Sequence, residues 1–249
     1  MDSTPTIRRW AIFVAAALGL AAAWHGLFLA GISVPLPPVP VDGASQEFNV
    51  QESMAWFRST QLQRQMILLI ATAGFLGLAG LGASLGLGSP SDPGIPIGWD
   101  TVGRLLIAAG LVGAVAHTFQ LGGHQAVAVA SDVLLRLDGV ALLHFTIDQV
   151  QTVIAAVAYG LFGGGLIASA IAGRVVGASA LWRGAGGLAG AALLGVAASR
   201  LIFDPLDVAD PLLFVSAFVL FPAWAVGLPA ALGAREGRPT GHVVAVASR

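Results

Sequence analysis

The chain of 249 residues has no cysteine. That absence excludes disulfides, thiolate metal sites and iron–sulfur clusters. Lysine is absent as well, since all 12 basic residues are arginine. Without lysine there is no G-x-x-x-x-G-K-[ST] phosphate loop. The all-arginine usage reads as a GC-rich codon bias, hence as a prokaryotic chain. Charge of either sign is scarce, at 10% of residues, where a soluble domain carries about 25%. The net charge of −1 gives a nucleic-acid partner no electrostatic support. H-E-x-x-H zinc helices are also missing.

What the chain does have is apolar length. Hydrophobic residues make up 56% of it, and the mean hydropathy is +0.84. Six apolar stretches are predicted to cross a bilayer, at residues 10–34, 66–87, 105–123, 150–171, 178–201 and 211–232. Each is close to the roughly 20 residues that span a hydrocarbon core of about 30 Å. Backbone groups must be paired within lipid, and the alternation of a barrel strand is absent, so the spans are expected as helices. The expected fold is all-α: one membrane domain over residues 1–249, a six-helix bundle with two outer interfacial segments. Arg8 and Arg9 before an apolar run resemble a secretory leader. The run continues through Leu27, Phe28, Leu29 and Ile32, beyond the 7–15 residues of a leader core, and is therefore read as a span.

Arginine placement predicts the orientation. With the N-terminus cytoplasmic, Arg8, Arg9, Arg104, Arg174, Arg183, Arg235, Arg238 and Arg249 lie inside, and Arg58, Arg64, Arg136 and Arg200 outside. This 8-to-4 split obeys the positive-inside rule and puts both termini in the cytoplasm of a cell-membrane protein. The outer segment after the first span opens on Pro35, Pro37, Pro38 and Pro40. It then carries Phe48, Met54, Trp56 and Phe57 among polar neighbours, the pattern of a helix lying in the headgroup region. Gln125 to Asp138 is read the same way, with Gly139 as a helix stop.

Glycines within the spans mark packing faces. Gly74, Gly77 and Gly80 step by three, and Gly82/Gly86, Gly160/Gly164 and Gly186/Gly190 are spaced by four. Close backbone approach over such faces holds membrane helices together, either within one bundle or in a homo-oligomer or membrane-protein partnership. The run Gly163–Gly164–Gly165 is a candidate bend.

Chemistry in a membrane needs polar groups at depth, and no Asp or Glu lies near a midplane. Ion-coupled transport and proton pumping are therefore disfavoured. Arg64, Arg104, Arg183 and Arg200 sit at span ends, where snorkelling reaches water. Histidines form the one constellation with a chemical reading. His25 and His117, at similar depth on different helices, are candidate axial ligands of a b-type haem. His117, Gln120 and His124 share a helix face, and His117, His124, His144 and Asp148 are candidate ligands of a divalent metal. Structural histidines are the alternative to both. Asp204, Asp207 and Asp210 form an acidic outer turn, read as solvated rather than as a calcium site.

The stretch Leu181-Trp182-Arg183-Gly184-Ala185-Gly186-Gly187-Leu188-Ala189-Gly190-Ala191-Ala192-Leu193-Leu194 is followed by the acidic turn. A last span then ends in Ala223-Trp224-Ala225-Val226-Gly227. Over roughly the last 70 residues, and in its long outer segment after the first span, the chain resembles six-span prokaryotic membrane proteins grouped as a domain of unknown function. The resemblance implies the architecture and carries no catalytic residue. The expected role is a non-catalytic membrane subunit, scaffold or regulatory partner in the lipid bilayer. The alternatives are a haem- or metal-binding redox protein and, third, a passive small-solute or lipid pathway.

Overall fold

The computed structural model describes residues 4–29, 55–56, 58–86, 98–133, 137–202 and 209–233. It is all-helical over these residues, with α1 at Thr4–Leu29, α2 at Gln61–Gly86, α3 at Trp99–Val133, α4 at Leu137–Val176, α5 at Ala180–Ile202 and α6 at Ala209–Gly233. Five of them contain stretches long and apolar enough to span a membrane: Pro5–Leu27, Gln61–Gly86, Trp99–Gly123, Thr146–Val176 and Ala180–Ile202. In α6 the stretch Ala217–Leu232 is apolar as well. Large apolar side chains point outward all round the bundle, among them Leu20, Leu69, Val115, Val157, Leu188 and Val226. A helix that is apolar on its outer face has lipid as its solvent, so the protein is membrane-embedded and multi-pass.

The helices pack as a closed ring in chain order, each against its neighbours, with α6 returning to α1 and touching α4 across the ring. Glycine sets the spacing. A Cβ added at Gly74 would lie 2.5 Å from Leu18 Cδ2, one at Gly77 2.6 Å from Phe13, and one at Gly80 3.0 Å from Trp10. The three-residue glycine step is thus the groove on α2 that receives α1. Gly82 and Gly103 pack backbone to backbone between α2 and α3, and Gly163 and Gly190 do the same between α4 and α5. Within the Gly186/Gly190 pair, Gly186 receives the Trp224 ring. Gly164 has nothing within 4 Å of its missing Cβ, and Gly160 has only Ala197, at 3.9 Å. That face of α4 therefore leaves room.

The α4–α5 connection shows why its sequence turns where it does. Gly177 has φ of 80°, a left-handed conformation that glycine tolerates without strain. The Gly177 amide donates to the Arg174 carbonyl at 3.3 Å and the Ala178 amide to the Gly173 carbonyl at 2.8 Å. These two bonds form the Schellman closure of a helix C-terminus. Two residues on, the Ser179 hydroxyl oxygen accepts from the Trp182 amide at 3.2 Å and caps α5.

Two boundaries differ from the sequence expectation. The stretch Gln125–Asp138 is not a separate interfacial element: its residues up to Val133 continue α3, and α4 opens at Leu137. Gly139 is the third residue of α4 and stops nothing, because a glycine ends a helix only where the turn beyond it is built to accept the last carbonyls. Helices α3 and α4 have 35 and 40 residues, about 50 and 60 Å at 1.5 Å per residue. They therefore run past their membrane spans at one end of the bundle. The run Gly163–Gly164–Gly165 lies inside the continuous α4. Phe48, Phe57 and the aspartates Asp204 and Asp207 lie outside the described residues.

Candidate functional site

A column of buried rings fills the ring of helices. It begins at Trp99, the first residue of α3, whose centroid is 6.3 Å from Trp182. Trp182 stacks on Trp224 at 6.0 Å, Trp224 on Phe221 at 5.8 Å, and Phe221 meets Phe162 edge-on at 5.0 Å. Phe162 continues to Phe75 at 6.5 Å, and Phe75 stacks on the His117 ring at 5.1 Å. Trp224, Phe162 and Phe221 are fully buried. Two of the three indole N–H groups find partners along the way, and that of Trp99 has none among the described residues. Trp182 Nε1 donates to the Trp224 carbonyl at 2.7 Å, and Trp224 Nε1 donates to Ser169 Oγ at 2.9 Å. Ser169 in turn donates to the Leu166 carbonyl at 2.6 Å. Buried indoles need such partners, and inside lipid there is no water to substitute.

Where the column ends, a cavity of about 300 Å³ begins. All six helices line it. Leu18, Ala21, Ala22 and His25 come from α1, and Arg64, Ile67, Leu68, Ala71 and Phe75 from α2. His117 and Gln120 on α3, Gln151 and Tyr159 on α4, Arg200 on α5 and Phe218 on α6 complete it, together with Trp56 from the turn before α2. Trp56 is held by that turn: its carbonyl accepts from the Thr60 amide at 3.0 Å, from Thr60 Oγ1 at 3.0 Å and from Ser59 Oγ at 2.8 Å. The Arg64 guanidinium lies 5.5 Å over the Trp56 ring, and that of Arg200 lies 5.4 Å over Tyr159. Gln151 is buried at 8% exposure.

The two histidines singled out from sequence both line this cavity. Their helices are not direct neighbours, since α2 stands between α1 and α3 in the ring. The imidazoles therefore share a cavity and not a helix–helix contact. His117 is buried, and its Nδ1 lies 2.7 Å from the Gly113 carbonyl. A carbonyl only accepts, so Nδ1 carries the proton, and in the neutral ring the lone pair is on Nε2. Of the other candidate metal ligands, Asp148 is within electrostatic reach of Arg64. His124 and His144 lie on α3 and α4, and their side chains are outside the described set. Among the described residues no three of His, Cys, Asp and Glu come together.

Sequence reading missed Arg64, Arg200, Gln151, Tyr159 and Phe218 as parts of one site. The arginines were expected merely to snorkel at span ends, whereas their side chains line the cavity. The available signal was the convergence of polar residues at one end of five different spans, but helix rotation is needed to show that they face one another. Comparison with protein-family models, curated proteins and solved structures finds no match for the chain.

Proposed function

We propose that this chain is a non-catalytic component of the cell membrane, a subunit or regulatory partner that takes up a small molecule in the cavity shared by its six helices. The observation that carries this reading is the lining: polar side chains converging over an apolar wall, in a volume at the lower edge of the ~300–1,000 Å³ typical of small-molecule sites. The ring column supports binding over passage, because the core beyond the cavity is filled by fully buried Phe162, Phe221 and Trp224. A passive pathway through the centre would require that column to part. Homo-oligomer contact or a membrane-protein partner would use an open glycine such as Gly164, beside which nothing packs within 4 Å.

A second reading, a haem- or metal-binding redox protein, is favoured by the shared cavity of His25 and His117 and by the Nδ1–Gly113 bond. A backbone hydrogen bond of that kind orients a ligating imidazole. Native mass spectrometry and an absorption spectrum of the purified protein separate the two. The first reading expects a colourless protein carrying a small added mass that disappears in Ala71→Trp, where the ring fills the cavity. A Soret band lost in His25→Ala and in His117→Ala would replace it with the second.

Orientation completes the proposal. Arg58, Arg64 and Arg200 stand at the cavity end, while Arg8, Arg9, Arg104, Arg174 and Arg183 stand at the other. The positive-inside rule then turns the cavity outward and puts both termini in the cytoplasm. A reporter active only in the cytoplasm, fused after Arg249, is expected to be active; activity restricted to an outer-side reporter at that position would reverse the orientation.

A further inference from the structure

We infer that the cavity is built for a phenol, a flat aromatic ring whose hydroxyl donates to His117 Nε2. This rests on the small-molecule reading above and names the class of ligand.

The first ground is an acceptor without a donor. His117 is buried at 8% exposure, and its Nδ1–H is committed to the Gly113 carbonyl at 2.7 Å. In the neutral imidazole, the form that costs least away from water, Nε2 carries a lone pair and no proton. That nitrogen has no hydrogen-bond partner among the described residues. It is not sealed among protein atoms either, and the ring lines the cavity, so Nε2 opens on that space. A buried acceptor left unpaired is costly, and ketones, ethers and carboxylates only accept. An occupant that pairs with Nε2 therefore brings an O–H or an N–H.

The second ground is what surrounds that nitrogen. Arg200 is within electrostatic reach of the same imidazole, and Gln120 follows His117 by one turn on the same face of α3. Both line the cavity, and both side chains carry N–H donors. A hydroxyl oxygen accepts as well as donates, so it can take an N–H from Gln120, or one of the five on the Arg200 guanidinium, while its own proton goes to Nε2. An indole N–H donates and accepts nothing.

The third ground is the walls. Phe75 stacks on His117 at 5.1 Å and is tilted to Tyr159 at 6.2 Å, and Trp56 and Phe218 line the same cavity. The column of rings that fills the core thus ends on the imidazole whose Nε2 is open. Aromatic rings attract one another in offset stacks and edge to face, beyond what burial of equal area gives. A flat ring joined to the hydroxyl extends the column into the cavity, whereas a saturated body of the same size gains burial alone.

The test uses the full-length protein in nanodiscs of zwitterionic lipid, with thermal unfolding followed at increasing para-propylphenol, its methyl ether or propylcyclohexanol. The ether keeps the ring and loses the O–H, and the cyclohexanol keeps the O–H and loses the aromatic ring. Propylphenol is expected to raise the transition temperature, with the other two weaker by about tenfold or more in apparent affinity. His117→Phe keeps a ring against Phe75 and removes the acceptor. It is expected to weaken propylphenol by about tenfold or more and to leave the ether unchanged. If His117→Phe does not fold, the three-probe comparison on the unaltered protein decides the matter. Repeating the propylphenol titration in discs that contain a prenylated phenol separates the sources, and both results support the phenol. Competition marks a ring dissolved in the bilayer as the occupant, and unchanged affinity marks a soluble one. Propylphenol matched by the ether or by the cyclohexanol, with binding lost in Ala71→Trp, overturns the phenol and leaves the small-molecule reading standing. Absence of any probe binding overturns the phenol, and overturns the small-molecule reading as well if Ala71→Trp leaves the native mass unchanged.

Discussion

Trp224→Ala is expected to destabilise the bundle by about 3–4 kcal/mol, the largest loss expected from truncating one side chain of this protein. The indole is fully buried between Trp182 and Phe221. In lipid the hydrophobic transfer term between helices is small, so the loss comes from packing and hydrogen bonding. Removing the ring vacates a volume on the order of 100 Å³, which at about 24 cal/mol per Å³ is roughly 2–3 kcal/mol. The bond from Nε1 to Ser169 Oγ, 2.9 Å long, is lost as well, adding about 1 kcal/mol. Trp224→Phe separates the two contributions, since it keeps most of the volume and loses the bond, for an expected cost of about 1–2 kcal/mol. Equilibrium unfolding in one detergent measures both. An Ala variant within about 1 kcal/mol of the parent would show that the ring column is not what holds the core.

Adjacent glycines on α4 should respond with opposite signs. A Cβ at Gly163 would lie 2.6 Å from the Gly190 carbonyl oxygen, and one at Gly190 would lie 2.6 Å from the Gly163 oxygen. Backbone cannot rotate away as a side chain does, so Gly163→Ala must push α4 and α5 apart, at an expected cost of about 1–3 kcal/mol. Gly164 has nothing within 4 Å of the same position. Gly164→Ala relieves the helix of its most flexible residue and is expected to be neutral or stabilising by up to about 1 kcal/mol. Thermal denaturation of the two variants side by side reads the difference. Equal losses would mean that the α4–α5 contact does not depend on the glycine pair.

Glycine spacing also shows where sequence reading stops. The small-residue spacing of four in Gly186/Gly190 and Gly160/Gly164 is identical on paper. In the fold Gly186 and Gly190 lie tightly against Trp224 and Gly163, while Gly160 only touches Ala197 and Gly164 meets nothing within 4 Å. Spacing reports that two residues share a helix face, and nothing in it says which neighbour that face meets. Gly139 is a similar case: its composition signals a stop, yet α4 runs through it, because helix termination depends on the hydrogen bonds the following residues make. At Gly177, with Ser179 two residues later, those bonds are present and the chain does turn.

Of the site, His25 and His117 were legible because an imidazole in an apolar span is conspicuous. Arg64 and Arg200 were visible too, but as charges at span ends, where a bilayer interface accounts for them without a cavity. Tyr159 and Gln151 carried no local signal: their importance comes from α4 turning them toward the centre at the level of Arg200.

Composition and apolar length by themselves determined that this protein is an all-helical membrane bundle, because a chain with 10% charge and repeated runs of about 20 apolar residues has no other way to satisfy its backbone within lipid. They also determined which chemistries lack their residues, from thiolate sites to lysine phosphate loops. Only the tertiary structure decided that the helices close into a ring in chain order, that rings from Trp99 to Phe75 fill its core, and that two arginines, two histidines and two glutamines meet at one end. The reason is rotational. Hydropathy fixes how far a helix extends along the membrane normal, whereas the direction each residue faces is set by how glycine grooves and large side chains on neighbouring helices interlock.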